Sequence, residues 1–293
     1  MPSSGRGAAR LLLPLLLLVL ALLLLCSTVL GHHHHGTNRY CSLCEHHVAC
    51  GTPRELHGDC HRYSDVNLTV LTRHRHVIIG HMNHLRDKFA SGEVSRFGNR
   101  YGPMYAVSWD DEMAEMCRYN LNSCRFGHDR CRATSRYRHS GQTLGKLTKC
   151  VRQQEARERL NINVLRNVIL HLVDRWFAEH RDTDESDVRH YSQRSSKRKY
   201  QIGHFLQLIN CNVCKLGCSL VSYREYRPPK VCATFILCCN YSSINTIGQP
   251  ICGRISHGGD DDDDDNKAHA PSDGCPREPH YRHLCSKCSS SRW

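Results

Sequence analysis

The stretch CRFGHDRC, residues 124–131, brings residue types that can do chemistry into short spacing. Two cysteines, Cys124 and Cys131, flank His128. Such a group can bind a metal, can supply a nucleophile and its base, or can be a disulfide-bonded helix end that contains a histidine. The compartment of the protein and the elements around these residues decide between the three.

The first 31 residues predict that the chain is secreted. Arg6 and Arg10 precede an apolar run of 15 residues, 11–25, and small residues follow, which is typical of a signal peptide. A transmembrane helix needs about 20 apolar residues, and no later segment is apolar enough to span a bilayer. We therefore expect cleavage after Gly31, an extracellular location and no transmembrane segment in the mature chain.

The cysteine content fits that compartment. The chain has 19 cysteines, of which Cys26 lies in the signal peptide, and an even number in a secreted chain indicates a disulfide framework rather than free thiols. Zinc ribbons need reduced thiolates, so the CxxC spacings favour no metal centre. Secretion also makes Asn67 (NLT) and Asn240 (NYS) candidate glycosylation sites.

The charge distribution gives a weaker indication of partners. The formal charge is +12, which suits anionic glycans, whereas nucleic acid does not share the predicted compartment. The run of aspartates at 260–265 is typical of a solvated linker. The histidines at 32–35 could bind zinc or form a flexible terminus.

Three segments have the apolar periodicity of helices. Spacings of three and four predict helices over 77–92, 108–121 and 157–180. In the second of these, Ser108 and Asp111 form a candidate capping box. In the third, Glu179 follows Trp176 at a spacing of three and lies on the same side.

The second half of the chain predicts a β-hairpin. CSLVSYRE and VCATFILC flank Pro228-Pro229, which cannot lie inside a paired strand and therefore marks the turn. If the turn centres between the two prolines, Cys218 lies directly opposite Cys239, close enough for a disulfide. Cys238 then points to the other face of the sheet.

Eight motifs occur in the order found in one family. They are IIGHMNHLRDKFASG, VSWDDEMAEMC, CRFGHDRCR, GQTLG, WFAEH, IGHFLQL, GCSLVSY and CNYSS. The chain thus resembles the CAP superfamily (cysteine-rich secretory, antigen 5 and pathogenesis-related 1 proteins) over about 40–252. The N-terminal YCSLCEHHVAC resembles the insect antigen 5 (venom allergen 5) branch.

The resemblance implies an α+β fold, an α-β-α sandwich with a central, mostly antiparallel sheet. Together with the composition of the two ends, it divides the chain after the signal peptide 1–31 into a Cys/His-rich arm (32–62), a CAP domain (63–255), an acidic linker (256–273) and a Cys-rich tail (274–293). It also implies disulfides. These are Cys41–Cys50, Cys44–Cys131, Cys60–Cys124 and Cys218–Cys239, with Cys275–Cys285 resembling a tail pairing in related insect sequences.

The resemblance also implies a cleft. His128 and His204 match the two cleft histidines, Glu179 matches one cleft acid, and Gln142 stands where the second acid usually lies. Two histidines and one carboxylate suit weak zinc binding through His128 and His204, or acid/base hydrolysis. A neutral amide cannot be a general base, and neither GxSxG nor HExxH occurs.

Members of the family occur in venom, saliva, semen and defence, and some bind lipids or sterols. We therefore expect a secreted, non-enzymatic binding module that requires no cofactor. Its partner would be an extracellular protein or a lipid or sterol ligand. One alternative is a metal-dependent or acid/base hydrolase that uses the cleft histidines and Glu179. Another is a metal-buffering protein that uses the 22 histidines and the aspartate run.

Overall fold

The computed structural model describes residues 39–94, 97, 100–156, 165–192, 200–255 and 275–286. The predicted signal peptide, the histidines at 32–35 and the predicted acidic linker lie outside the described residues. The described α-helices are α1 (Arg75–Ala90), α2 (Asp111–Leu121), α3 (Leu165–Ala178), α4 (Glu185–Arg189) and α5 (Gly203–Leu208). The described strands are β1 (Ser64–Val70), β2 (Ser108–Trp109), β3 (Gly141–Arg152), β4 (Lys215–Arg227), β5 (Lys230–Tyr241), β6 (Arg277–Glu278) and β7 (Tyr281–Cys285).

Five strands form the central sheet, in the order β1-β4-β5-β3, with the short β2 parallel to β4 and the other pairings antiparallel. Strands β4 and β5 are the predicted hairpin. Arg227 pairs with Lys230 across the two prolines, and Cys218 lies opposite Cys239. The predicted turn centre is therefore confirmed.

Helices cover both faces of the sheet. Alternate residues of β5, such as Phe235 and Leu237, pack into the large core with α1, α3 and α5. Ile236 and Cys238 point to the opposite face and pack with α2. The α+β fold class and the α-β-α sandwich are confirmed.

The observed helix boundaries differ from the predicted ones. Helix α2 begins at Asp111, and the Asp110 side chain caps it by accepting a hydrogen bond from Met113 N at 3.0 Å. Ser108 forms no capping box because it belongs to β2, where its N–H donates to Cys214 O. The helix predicted over 157–180 is α3 within 165–178, while 157–164 lie outside the described residues.

Helix α2 approaches the sheet unusually closely at Gly217. A Cβ atom at Gly217 would lie 2.2 Å from Asp110 O and 2.3 Å from Ala114 N. On either side of this contact, sheet side chains bind the helix backbone: Ser219 Oγ donates to Ala114 O at 2.7 Å, and Asn240 Nδ2 donates to Met113 O at 3.2 Å. Only glycine fits between the strand and the helix.

We expect Gly217→Ala to lower the free energy of unfolding by about 1–3 kcal/mol, because backbone atoms must move to admit the methyl group. Gly58→Ala is the matched control, since a Cβ at Gly58 meets nothing within 4 Å. Urea unfolding of both variants checks this. Equal stability of the two variants would contradict the close approach of α2.

Arg86 of α1 is a buried cation that is bonded to backbone carbonyls. Nη1 donates to Leu208 O at 2.6 Å and to Asn210 O at 3.1 Å, and Nη2 donates to Tyr105 O at 2.9 Å and to Val213 O at 3.0 Å. Burial lowers the pKa of Arg86 to about 9, so the guanidinium stays charged at neutral pH. It holds α1, the end of α5 and two loops together.

The five disulfides that the resemblance implied are present in the structure. Between described residues, two more disulfides join Cys150 to Cys232, an opposed pair of β3 and β5, and Cys211 to Cys252. The structure also has two buried free thiols, Cys117 and Cys238. The expectation of a framework without free thiols is therefore wrong. The five implied disulfides are Cys41–Cys50, Cys44–Cys131, Cys60–Cys124, Cys218–Cys239 and Cys275–Cys285.

The described part of the Cys-rich tail is a hairpin of β6 and β7 that packs against α1. Tyr281 Oη donates to Gly80 O at 3.1 Å, and His283 N donates to Asp87 Oδ1 at 2.7 Å. Leu284 is buried in the large core. The tail thus contributes apolar surface to the same core as α1.

The two candidate glycosylation sites differ in accessibility. Asn67 is exposed on β1 and stays a predicted site. Asn240 is fully buried, and the nitrogen to which a glycan would be attached donates to Met113 O. A glycan at Asn240 therefore does not fit this fold. No described helix has the length and apolar character needed to cross a bilayer.

Candidate functional site

An open cavity of about 310 Å³ lies between the start of β3, the first turn of α5 and the segment that follows β5. Its wall contains both cleft histidines and Gln142. Most of the wall is polar. The lining residues are His128, Arg132, Gln142, Tyr191, Gln201, Gly203, His204, Gln207, Ile244 and Asn245.

The loop that carries His128 is anchored by a disulfide on each side. Cys124 is bonded to Cys60, and Cys131 is bonded to Cys44, so both bonds lead to the N-terminal arm. Oxidised cysteines are neither thiolate ligands nor nucleophiles. CRFGHDRC is therefore a disulfide-bonded loop at the end of α2 that presents His128 to the cavity.

A hydrogen-bond network fixes the ring of His128. His128 Nδ1 lies 2.7 Å from Gln142 Oε1, while Gln142 Nε2 donates to Asp129 Oδ2 at 2.8 Å and to Asn240 Oδ1 at 3.0 Å. Because Gln142 presents its oxygen, Nδ1 of His128 is the donor, and the neutral ring carries its lone pair on Nε2. Arg132 Nε donates to Asp129 Oδ1 at 2.8 Å and neutralises that carboxylate.

The pKa of His128 is lowered from its ordinary value of 6.5, chiefly because burial removes water from the charged ring. The positive charge of Arg132 and the ring of His204 lower it further, while Gln142 and Asp129 partly offset the shift. His128 therefore remains neutral, and able to donate a lone pair, to a lower pH than a histidine of ordinary pKa.

Glu179 lies behind His204 rather than on the cavity wall. Its Oε1 accepts from His204 Nδ1 at 2.6 Å, and its Oε2 accepts from the backbone N–H groups of His204 and Phe205 at 2.9 and 3.1 Å. The carboxylate thus caps the first turn of α5 and leaves Nε2 of His204 with the lone pair. Trp176 stacks on the ring, with centroids 5.7 Å apart.

The structure brings three of the four predicted cleft residues, His128, Gln142 and His204, to one cavity, and Glu179 supports it from behind. Sequence reasoning missed Asp129, which supplies a carboxylate one hydrogen bond beyond Gln142. The position of Asp129 next to His128 in GHDRC could have indicated that it belongs to the site.

The metal chemistry of the described residues is limited. The one group of three close ligand atoms is Cys44, His47 and Cys131, and its cysteines are joined in a disulfide. His47 Nε2 lies 2.7 Å from Ala133 O, and His47 Nδ1 accepts from Ala49 N, so this ring is structural. The cavity offers His128 and His204 as two imidazole donors whose Nδ1 atoms are already engaged, which is how metal-binding histidines are oriented.

The model of the CAP cysteine-rich secretory protein family matches residues 79–241, more than half of the chain. The chain belongs to the CAP family. Among CAP relatives, "Venom allergen-1" of Aedes aegypti is 32% identical over 251 residues, covering 84% of this chain and 87% of the relative. "Venom allergen 5" of Microctonus hyperodae is 31% identical, covering 58% of this chain and 66% of the relative.

Solved CAP structures give a more distant comparison. The structure of BmVAL-1 has a TM-score of 0.46 and 18% identity, and the match covers 62% of this chain and 82% of that one. The predicted resemblance to the CAP superfamily and to antigen 5 proteins is confirmed by the family model and by the names of the relatives.

Proposed function

We propose that this CAP protein is secreted and that it acts by binding a partner rather than by catalysing a reaction. The observation that carries the proposal is the composition of the cavity wall. Among the described residues, no Asp, Glu, Ser, Thr or Cys side chain lines it. The cavity thus offers neither a carboxylate base nor a serine, threonine or cysteine nucleophile to a substrate.

The alternative is an acid/base hydrolase. The 2.6 Å contact between Glu179 and His204 Nδ1 favours it, because a carboxylate that orients a histidine can help the ring to take a proton from water. Against it, the guanidinium of Arg132 is held by Asp129 and by Ser140 O, which leaves it badly placed to stabilise a developing oxyanion.

The partner that suits this site is an extracellular protein. The polar wall favours a polar or anionic group over a buried lipid chain or sterol. Ile244 on the wall is 42% exposed, and Ile247 in the same segment is 55% exposed. A protein that covers these isoleucines and inserts a polar side chain would use both parts of the surface.

Weak zinc binding is part of the proposal. His128 and His204 would hold the ion through their Nε2 atoms, with Glu179 orienting His204. Gln142 adds no charge, so the affinity would be well below that of structural zinc sites. When bound, zinc would supply a positive charge that attracts an anionic group of the partner.

We expect the secreted protein to hydrolyse neither peptide nor ester substrates above the level of Glu179→Gln. Equal, negligible rates in the two proteins support binding without catalysis. Turnover by the wild type that disappears in Glu179→Gln would overturn the proposal.

Gly203→Leu tests whether the cavity is the binding site. Gly203 lines the cavity, and a Cβ atom there meets nothing within 4 Å, so the backbone has room for a side chain that would narrow the cavity. Native mass spectrometry of the secreted wild type should show an adduct that Gly203→Leu lacks. Gly58→Leu should retain it, because Gly58 is not a lining residue and a Cβ there also meets nothing within 4 Å. An adduct that persists in Gly203→Leu would place binding elsewhere.

A further inference from the structure

The two buried thiols meet at the closest approach of α2 to the sheet. Cys117 lies on α2 and Cys238 lies on β5, and both are fully buried. Cys117 Sγ contacts Gly217 O at 3.6 Å, and Cys117 and Cys238 belong to the same buried cluster on this face of the sheet. The absence of a side chain at Gly217 is what allows the helix to bring Cys117 to Cys238.

The elements that carry the thiols are fixed relative to each other. Cys238 pairs with Ser219 of β4, whose hydroxyl binds Ala114 O of the helix. Asn240, two residues further along β5, binds Met113 O. Since both hydrogen bonds join the helix to the sheet next to the thiols, the folded protein keeps Cys117 and Cys238 in the same buried cluster.

We propose that Cys117 and Cys238 are a redox site that closes to a disulfide by exchange with a low-molecular-weight disulfide such as oxidised glutathione. One thiol, as its thiolate, attacks the glutathione disulfide and releases one reduced glutathione, which leaves a mixed disulfide. The second thiolate attacks the protein sulfur of that mixed disulfide and releases the second reduced glutathione. The protein loses two hydrogens, and the oxidant is reduced to two thiols.

The position of the pair sets the conditions for this reaction. Burial raises the pKa of the Cys238 thiol well above its ordinary value, so the folded protein presents little thiolate. Exchange therefore requires α2 to move away from the sheet far enough to admit the oxidant. We expect oxidation to be slow in buffer and faster in urea below the unfolding transition.

The redox site touches the wall of the cavity through one residue. Gln142 Nε2 lies 3.5 Å from Cys238 Sγ, and Gln142 Oε1 binds His128. Closing the disulfide converts the Cys238 thiol that Gln142 contacts into a disulfide sulfur. The same Gln142 side chain binds the ring of His128. Oxidation thus acts one hydrogen bond away from the site of the proposed function, although the redox chemistry itself does not depend on that function.

The test counts thiols in the full secreted protein. After incubation with oxidised glutathione in urea below the unfolding transition, the protein is denatured and alkylated, and its peptides are mapped without reduction. We expect both thiols to disappear, with a mass loss of two hydrogens and a peptide that links Cys117 to Cys238.

Persistence of both alkylatable thiols after this treatment would overturn the proposal, as would Cys238 linked to Cys218 or to Cys239. These measurements need only the wild type. As a further check, Cys117→Ala should leave Cys238 alkylatable or as a glutathione adduct. If this variant fails to fold, the melting temperature of the wild type is measured instead. It should rise on oxidation and return to its starting value when the bond between Cys117 and Cys238 is reduced.

Discussion

Arg86→Met is expected to lower the free energy of unfolding by about 3 kcal/mol or more, because it removes the side-chain donor from four carbonyl groups. Asn210 O still accepts from Val213 N, and the loss at each of the other three costs about 1–3 kcal/mol. Methionine fills similar volume, so the loss reports the hydrogen bonds more than the packing. The carbonyls belong to Tyr105, Leu208, Asn210 and Val213. Urea unfolding followed by circular dichroism measures the change.

Two further variants sharpen this experiment. Lys88→Met changes an exposed residue on the same helix and should be close to neutral. Arg86→Lys keeps the charge but loses the planar fork of donors, so its stability should fall between those of Arg86→Met and the wild type. If Arg86→Met loses no more free energy of unfolding than Lys88→Met, the prediction is wrong, and water must donate to the carbonyl groups in place of the guanidinium.

Zinc binding is expected to weaken at least tenfold in His204→Ala, because one of the two proposed imidazole ligands is removed. Calorimetry should use protein trimmed to begin at about Thr37, since His32–His35 could otherwise bind the metal. His84→Ala, an exposed histidine of α1, is the matched control and should bind like the wild type. Equal zinc uptake by His204→Ala and the wild type would show that the cavity histidines are structural.

The pH dependence of zinc binding follows from His128. Protons compete with zinc for imidazole, and burial lowers the pKa of His128 from its ordinary value of 6.5. The contribution of His128 should therefore persist as the pH falls to 6.5 and disappear only below that value. The same shift means that the unfolded chain binds a proton more readily at this position, so acidification through this range should also lower stability.

The hairpin and the helices could be predicted because local chemistry determines them. The two prolines fix one turn, and strands of period two then place Cys218 opposite Cys239. The apolar periodicity predicts which face of each helix is buried, but it does not predict the residue at which α2 begins. Ser108 and Asp110 are both good caps, and the pairing of β2 with β4 decides between them.

The site could be predicted only in part, and only through the family resemblance. Three cleft residues come from segments far apart in the chain, and spacing alone does not bring them together. The placement of Glu179 behind His204 depends on how α5 begins, because α5 has no side-chain cap of its own and uses this carboxylate instead. The unpaired thiols escaped prediction because an even cysteine count does not reveal which residues meet in the core.

The two disulfides that join the N-terminal arm to Cys124 and Cys131 also affect which sequences the loop between these cysteines tolerates. The intervening residues are mostly exposed, and covalent anchors rather than their own packing hold the ends of the loop in place. Arg125, Phe126 and Gly127 can therefore change identity at little cost in folding. A lineage could diversify what this surface recognises while the scaffold stays the same, and a library randomised at these three positions should yield mostly folded proteins.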